Sequence, residues 1–129
     1  MQPVGIVLVS HSPQLAAGLS GLLDQLGVPA GAVVTAAGTA DGSIGTSYDA
    51  TVLALKKADH GRGVIVLPDL GSSVLTSRAV LDDHPRPDVV LVDAPFVEGA
   101  VAAAVTAATG ADLDTVADAA RRARHVAKL

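Results

Sequence analysis

The sequence has 129 residues, of which 50% are hydrophobic and 2% aromatic, with a formal net charge of −4 and no cysteine. We expect one domain, 1–129, with an aliphatic core, and the acidic balance argues against a nucleic-acid partner, whose phosphates bind clustered Lys and Arg. The absence of cysteine excludes disulfides and cysteine-based metal sites. No apolar run reaches the length of a membrane span and the start lacks a signal-peptide n-region, so we expect a cytoplasmic protein with no membrane insertion.

The first element is a short apolar run, residues 4–9, which predicts a buried strand. Ser10, His11 and Ser12 follow directly, and Pro13 is favourable in the first turn of a helix. Leucines at helical spacing after Pro13 predict the first helix. We therefore expect His11 in a tight turn between the carboxyl end of a strand and the amino end of a helix.

The same alternation continues along the chain. Three further apolar segments predict strands at residues 32–37, 64–67 and 88–92, the first of them buried. Helices are predicted after an N-cap at Ser47 up to residue 58, and at residues 73–82, 96–109 and 112–126. Strands that alternate with helices predict an α/β fold: an open four-stranded parallel sheet, expected in the order 2-1-3-4, with helices on both faces.

Polar stretches follow the predicted strands. Right-handed crossovers place the carboxyl ends of all four strands at one edge of the sheet. The stretches 10–12, 38–47 and 69–73 therefore converge there, and Asp93 is a fourth candidate. Open α/β sheets bind ligands at this edge, and helix N-termini attract anions. The pattern predicts the functional site at this edge.

His11 is the leading candidate for chemistry, and the alternative is a structural histidine held in its turn by backbone hydrogen bonds. Asp69 ends a strand that neighbours the first in the expected order. Its carboxylate can accept the Nδ1 proton of His11, which leaves Nε2 as the nucleophile. The hydroxyls of Ser72 and Ser73, with N–H groups of the glycine-rich turns, can hold an oxyanion or a phosphoryl group.

Other chemistries fit the sequence less well. A Ser–His–Asp hydrolase lacks its G-x-S-x-G elbow here, and serines directly beside His11 make a poor triad. The glycines of the loop 38–47 match neither a dinucleotide-binding fingerprint nor a P-loop. The remaining histidines, His60, His84 and His125, belong to scattered predicted elements, so we expect no metal site.

Three stretches resemble one family. VSHSPQLAAG at residues 9–18 resembles the active-site stretch of mannose-type EIIA domains of the phosphotransferase system. GTADGSIGTS at residues 38–47 resembles one branch, the phosphoryl-donor subunits (DhaM) of phosphoenolpyruvate-dependent dihydroxyacetone kinase. PDLGSS at residues 68–73 is similar to the third-strand turn of both branches. The resemblance extends over residues 5–109 and is weakest in the last helix.

The resemblance implies a phosphohistidine relay. His11 accepts a phosphoryl group from HPr and passes it to ADP on the nucleotide subunit of the kinase. Asp69 forms a hydrogen bond with the imidazole of His11. The resemblance also implies that the chain forms a homodimer. In the sugar-transport branch the acceptor is instead an EIIB domain. Because the chain stops at Leu129, we expect HPr and enzyme I to be separate proteins.

Such a relay needs no metal or cofactor of its own, because positioning and electrostatics dominate phosphoryl transfer. The candidate phosphoryl-binding residues are Ser12, Gly45, Thr46, Ser47, Gly71 and Ser72. A third alternative is a non-catalytic module that binds small anions, with His11 as a ligand contact.

Overall fold

The computed structural model describes residues 2–129, which form a four-stranded sheet, five α-helices and a short 3₁₀ turn. The strands are β1 (Gly5–Ser10), β2 (Val33–Ala37), β3 (Val64–Pro68) and β4 (Val89–Leu91). The helices are α1 (Pro13–Asp24), α2 (Tyr48–Ala58), α3 (Gly71–Asp83), α4 (Phe96–Ala108) and α5 (Leu113–Arg122), and the 3₁₀ turn spans Ala123–His125. The strands are parallel in the order β2-β1-β3-β4, which confirms the predicted class and strand order.

β1 lies at the centre of the sheet, between β2 and β3. Leu8 is opposite Thr35 on β2 and Leu67 on β3, and every residue of β1 is buried. Val9 is opposite Pro68, the last residue of β3. The chain segments that follow β1 and β3 therefore leave the sheet side by side, as the predicted convergence required.

The two faces of the sheet are covered by different helices. Ile6 and Leu8 point into one core with α1, α4 and α5, whereas Val7 and Val9 point into a second core with α2 and α3. This alternation along β1 reflects the two-residue period of a strand. A strand buried on both faces needs apolar residues at every position, which explains the continuous apolar run.

α4 and α5 pack closely because their facing residues are small. The buried side of α4 consists of Gly99 and four alanines: Ala100, Ala103, Ala104 and Ala107. A Cβ atom at Gly99 would lie 2.9 Å from the Cβ of Ala94. Short side chains therefore form the buried side of α4, and Phe96 packs against the same core as a partly buried residue. Among residues 2–129, no helix combines the length and the apolar character needed to cross a bilayer.

Three elements differ from their predictions. β2 was expected to be buried, but it pairs only with β1 at the edge of the sheet, and Thr35 is exposed. α3 begins at Gly71 and not at residue 73, because Leu70 takes the N-cap position with an extended backbone. α5 ends at Arg122, and a 3₁₀ turn replaces the predicted continuation toward residue 126.

Candidate active site

The turn that carries His11 is held from two sides. Ser12 is the N-cap of α1, and its hydroxyl oxygen accepts a hydrogen bond from the backbone N–H of Leu15 at 3.2 Å. Gly45, in the loop between β2 and α2, donates its N–H to the carbonyl oxygen of His11 at 2.9 Å. Gly45 has φ +149°, and a Cβ atom there would lie 2.6 Å from Thr39 Cγ2, so the contact depends on glycine.

Asp69 contacts His11 at both the ring and the backbone. Its Oδ1 lies 2.8 Å from the ring Nδ1, and its Oδ2 accepts a hydrogen bond from the backbone N–H of His11 at 3.0 Å. The position of Asp69 follows from the sheet, because its own N–H donates to the carbonyl of Val9 on β1 at 2.9 Å. The structure therefore brings together the two residues that the sequence predicted as a pair.

The Asp69 carboxylate remains charged although little of it reaches solvent. Its side chain is only 4% exposed, and this burial raises its pKa. The carboxylate accepts hydrogen bonds from the hydroxyl of Ser73, from the backbone N–H and the ring of His11, and from the hydroxyl of Ser10. Together these bonds lower its pKa by more than burial raises it. The resulting pKa is about 2, so Asp69 is an acceptor for the Nδ1–H of His11 at neutral pH.

The hydrogen bonds around the imidazole are consistent with one tautomer. Nδ1 faces the Asp69 carboxylate, which can only accept, so Nδ1 carries the proton. Nε2 is then an acceptor, and the Ser72 hydroxyl lies 2.5 Å from it. The His11 side chain is 23% exposed against 4% for Asp69. The arrangement leaves Nε2 as the unprotonated, outward nitrogen, beside a hydroxyl on an exposed residue.

The start of α3 lies beside Nε2. Helices α1, α2 and α5 each have a polar N-cap side chain that accepts a hydrogen bond from the first turn. The N-cap of α3 is Leu70, whose apolar side chain cannot accept one. Gly71 and Ser72 are the first two residues of α3, where backbone N–H groups lack partners within the helix. These groups and the positive end of the helix dipole create a suitable environment for a phosphoryl group.

The described hydrogen bonds of the other candidate residues are with groups other than the imidazole. Ser47 is the N-cap of α2 and accepts a hydrogen bond from the N–H of Ala50 at 3.1 Å. Thr46 shares a hydrogen bond of 3.0 Å with Thr76 on α3, which ties the β2–α2 loop to that helix. Asp93 does not join His11: its side chain is 96% exposed and pairs with Arg124 at 2.9 Å.

Two serines have contacts that the sequence did not predict. Ser10 was considered only as a neighbour of His11, and Ser73 only as an oxyanion donor. Both are fully buried, and both donate hydrogen bonds to Asp69. The contact between Ser10 and Asp69 spans 59 positions in the sequence, so local pattern gave no signal for it.

The other histidines lie elsewhere. His60 contacts the carbonyl of Gly31 at 3.2 Å, His84 is the C-cap of α3, and His125 lies in the 3₁₀ turn. Within residues 2–129, no three His, Asp or Glu side chains are grouped so that they could hold a metal ion. His11 is thus the histidine that contacts both a carboxylate, that of Asp69, and a hydroxyl, that of Ser72.

Comparisons with known proteins show the family to which the chain is similar. Residues 5–117 match the EIIA-man family, described as the PTS system fructose IIA component. A crystal structure of the unknown-function protein EF1359 superposes with a TM-score of 0.80 at 34% identity and covers 95% of each chain.

Curated relatives extend the match. The chain is 34% identical over 103 residues to PEP-dependent dihydroxyacetone kinase 1, phosphoryl donor subunit DhaM, of Listeria innocua, covering 80% of this chain and 81% of that protein. It is 37% identical over 126 residues to the DhaM subunit of Pantoea ananatis, but it spans only 27% of that protein's length. The chain therefore belongs to the EIIA-man family, as a mannose-type EIIA domain of the phosphotransferase system close to DhaM.

Proposed function

We propose that this chain is a phosphohistidine carrier that accepts a phosphoryl group on Nε2 of His11. The observation that carries the proposal is the pairing of Nδ1 with Asp69 at 2.8 Å, which leaves Nε2 unprotonated beside the start of α3. A nucleophilic nitrogen that is partly exposed and fixed in one tautomer is what in-line transfer requires.

The transfer step balances without any further reactant. Nε2 of His11 attacks the phosphorus of the donor's phosphohistidine, the new N–P bond forms, and the donor's N–P bond breaks; the donor ring, which carries a proton on its other nitrogen, leaves as a neutral imidazole. The Nδ1 proton stays on His11, where the Asp69 carboxylate stabilises the positive charge that develops on the ring. The Ser72 hydroxyl turns from Nε2 to the incoming phosphoryl oxygens.

The phosphoryl-binding residues belong to three segments around Nε2. Gly71 and Ser72 begin α3 and supply the most direct donors. Ser12 is the N-cap of α1 and directly follows His11 in the chain. The third segment is the loop with Gly45, Thr46 and Ser47, which is held in position by its contacts with the His11 carbonyl, Thr76 and Ala50.

For the donor and the acceptor we infer proteins rather than free metabolites. Leu15, Ile44 and Leu70 are 45%, 70% and 66% exposed, and each lies within a few residues of His11 or of a residue bonded to it. Exposed apolar side chains around a reactive group favour a protein interface. We propose HPr as the donor, in the cytoplasm, and ADP on the nucleotide subunit of dihydroxyacetone kinase as the acceptor.

The names of the relatives support the kinase, since those from Listeria innocua and Pantoea ananatis are phosphoryl donor subunits of that enzyme. The alternative acceptor is an EIIB domain of a sugar permease, which the family description as a fructose IIA component favours. In either case the chain acts as a phosphotransferase subunit whose own substrate is a phosphorylated protein.

We also propose a homodimer. α1 exposes Leu15 and Leu22, which are 45% and 47% exposed and lie two turns apart on one side of the helix. Pairing of two copies across such a surface would cover apolar area that a lone chain leaves in water. Sedimentation equilibrium at micromolar concentration should give twice the chain mass, and a single-chain mass at that concentration would reject the dimer.

The function is tested by incubation with phosphoenolpyruvate, enzyme I and HPr. We expect an acid-labile, base-stable phosphoryl label, which His11→Ala abolishes and the matched control His60→Ala retains. Addition of the kinase subunits with ADP, or of an EIIB domain, then identifies the acceptor by which of them removes the label. A wild-type chain that takes no label from phosphorylated HPr would contradict the proposal.

A further inference from the structure

Two buried hydroxyl groups hold the carboxylate of Asp69 from opposite sides. Ser10, the last residue of β1, donates to Oδ2 at 2.9 Å, and Ser73, in the first turn of α3, donates to Oδ1 at 2.7 Å. Both serines have 0% of their surface exposed. One hydroxyl therefore serves each carboxylate oxygen, and neither is available to solvent.

Each serine also contacts the His11 turn or its ring. Ser10 Oγ accepts the backbone N–H of Ser12 at 3.1 Å, so it joins the carboxylate to the residue after His11. Ser73 Oγ lies 3.2 Å from Nδ1 of His11. Each serine therefore contacts both the Asp69 carboxylate and the segment that carries His11.

The need for such donors follows from the burial of Asp69. A carboxylate that is 4% exposed either loses its charge or accepts several hydrogen bonds. Asp69 receives five: from His11 Nδ1 and N, from the N–H of Leu70 at 2.6 Å, and from the two serine hydroxyls. Only the hydroxyls can be removed without changing the histidine or the backbone.

We propose that Ser10 and Ser73 are positioning residues, which hold the Asp69 carboxylate charged and oriented so that His11 keeps its proton on Nδ1 and presents Nε2. The predicted effect on the transfer rate rests on the function proposed above, whereas the predicted effect on the His11 tautomer does not. If either hydroxyl is lost, the carboxylate gains freedom to rotate and its charge is less stabilised. The imidazole then samples the tautomer whose Nε2 carries a proton and cannot attack.

The test compares Ser10→Ala and Ser73→Ala with Ser77→Ala. Ser77 is the matched control because it is a buried serine of α3, 1% exposed, whose hydroxyl donates to the carbonyl of Ser73 at 2.7 Å and not to Asp69. The ¹⁵N chemical shifts of the His11 ring report its tautomer in the unphosphorylated, folded protein. We expect a smaller Nδ1–H population in the two test variants, and an unchanged population in Ser77→Ala.

Transfer from phosphorylated HPr should slow by about tenfold or more in each test variant, the effect of one hydrogen bond to a charged group. In an Asp69→Asn background the same serine substitutions should have little further effect, because the group they act through is gone. The near-isosteric Ser10→Cys and Ser73→Cys, with weak thiol donors, give the same readouts where an alanine variant does not fold.

The outcomes separate the two proposals. Tautomer populations and rates that match those of Ser77→Ala, or full additivity with Asp69→Asn, would overturn the positioning role. A wild-type chain that takes no phosphoryl group would reject the proposed function, while the ¹⁵N shifts would still decide whether the serines fix the tautomer.

Discussion

Asp69 holds His11 by two hydrogen bonds of different kinds. Oδ1 lies 2.8 Å from the ring Nδ1, and Oδ2 accepts the backbone N–H at 3.0 Å. The first bond selects the tautomer, and the second fixes the turn from which the ring projects. A single carboxylate at the end of β3 thus controls both the position and the protonation of the residue that follows β1.

Replacement Asp69→Asn should slow phosphoryl acceptance by about two or more orders of magnitude, by analogy with the loss of orienting carboxylates elsewhere. The amide of Asn has no charge, and its NH₂ group can donate a hydrogen bond to Nδ1 of His11. The tautomer with the proton on Nε2 therefore gains population. The rate of label transfer from phosphorylated HPr measures this effect. A variant that accepts phosphoryl groups at the wild-type rate would show that Asp69 does not orient His11.

The same residue predicts how stability depends on pH. The pKa of Asp69 is about 2 in the folded protein, below the value near 3.9 expected for an unfolded chain. The contribution of the Asp69 charge to the free energy of unfolding is therefore present above pH ~4 and is lost as the pH falls toward ~2.

The difference in free energy of unfolding between wild type and Asp69→Asn should shrink by roughly 2 kcal/mol over that interval. Urea unfolding at several pH values measures it, and the other carboxylates cancel because both proteins contain them. A difference that stays constant between pH ~4 and ~2 would mean that Asp69 has an ordinary pKa.

Ser72→Ala should affect transfer without affecting the fold. Ser72 is exposed and its hydroxyl contacts Nε2, so its loss removes a donor for the phosphoryl oxygens. We expect transfer to slow by about tenfold to a hundredfold, in keeping with the loss of one donor at a developing charge. Ser20→Ala, on α1, is the control. Equal rates for the two variants would place the phosphoryl group away from Ser72.

The sequence predicted the centre of the site because the signals there are local. The apolar run of β1 ends abruptly at Ser10, and Pro13 marks the start of α1, so the turn at His11 could be located from adjacent residues alone. Asp69 followed from the expected strand order, which the sheet confirms.

The remaining features depend on contacts that no local pattern encodes. The exposure of Thr35 follows from the position of β2 at the edge of the sheet, and the apolar run at residues 32–37 does not by itself reveal it. The early start of α3 brings Ser72 to Nε2 and Ser73 to Asp69, whereas Gly71 and Leu70 resemble loop residues in the sequence. Ser10 binds Asp69 only because β1 and β3 are neighbours.

A pair of glycines tests the packing that supports the site. A Cβ atom at Gly5 would lie 2.1 Å from the carbonyl oxygen of Ala58, so Gly5→Ala forces β1 and α2 apart and should destabilise the fold by about 2 kcal/mol or more. Gly21, in α1, has no atom within 4 Å of such a Cβ, and Gly21→Ala should stabilise by about 0.5–1 kcal/mol. Thermal unfolding measures both, and a Gly5→Ala variant as stable as the wild type would contradict the close approach of β1 and α2.

The atom that receives the phosphoryl group decides whether His11 acts as the nucleophile that Asp69 orients. NMR of the chain after phosphorylation by phosphoenolpyruvate, enzyme I and HPr, with ¹⁵N-labelled histidine, identifies that atom from the coupling between nitrogen and phosphorus. We predict one modified nitrogen, Nε2 of His11, with the proton retained on Nδ1 opposite Asp69. A phosphoryl group on Nδ1 of His11, or on any other histidine, would contradict the central claim.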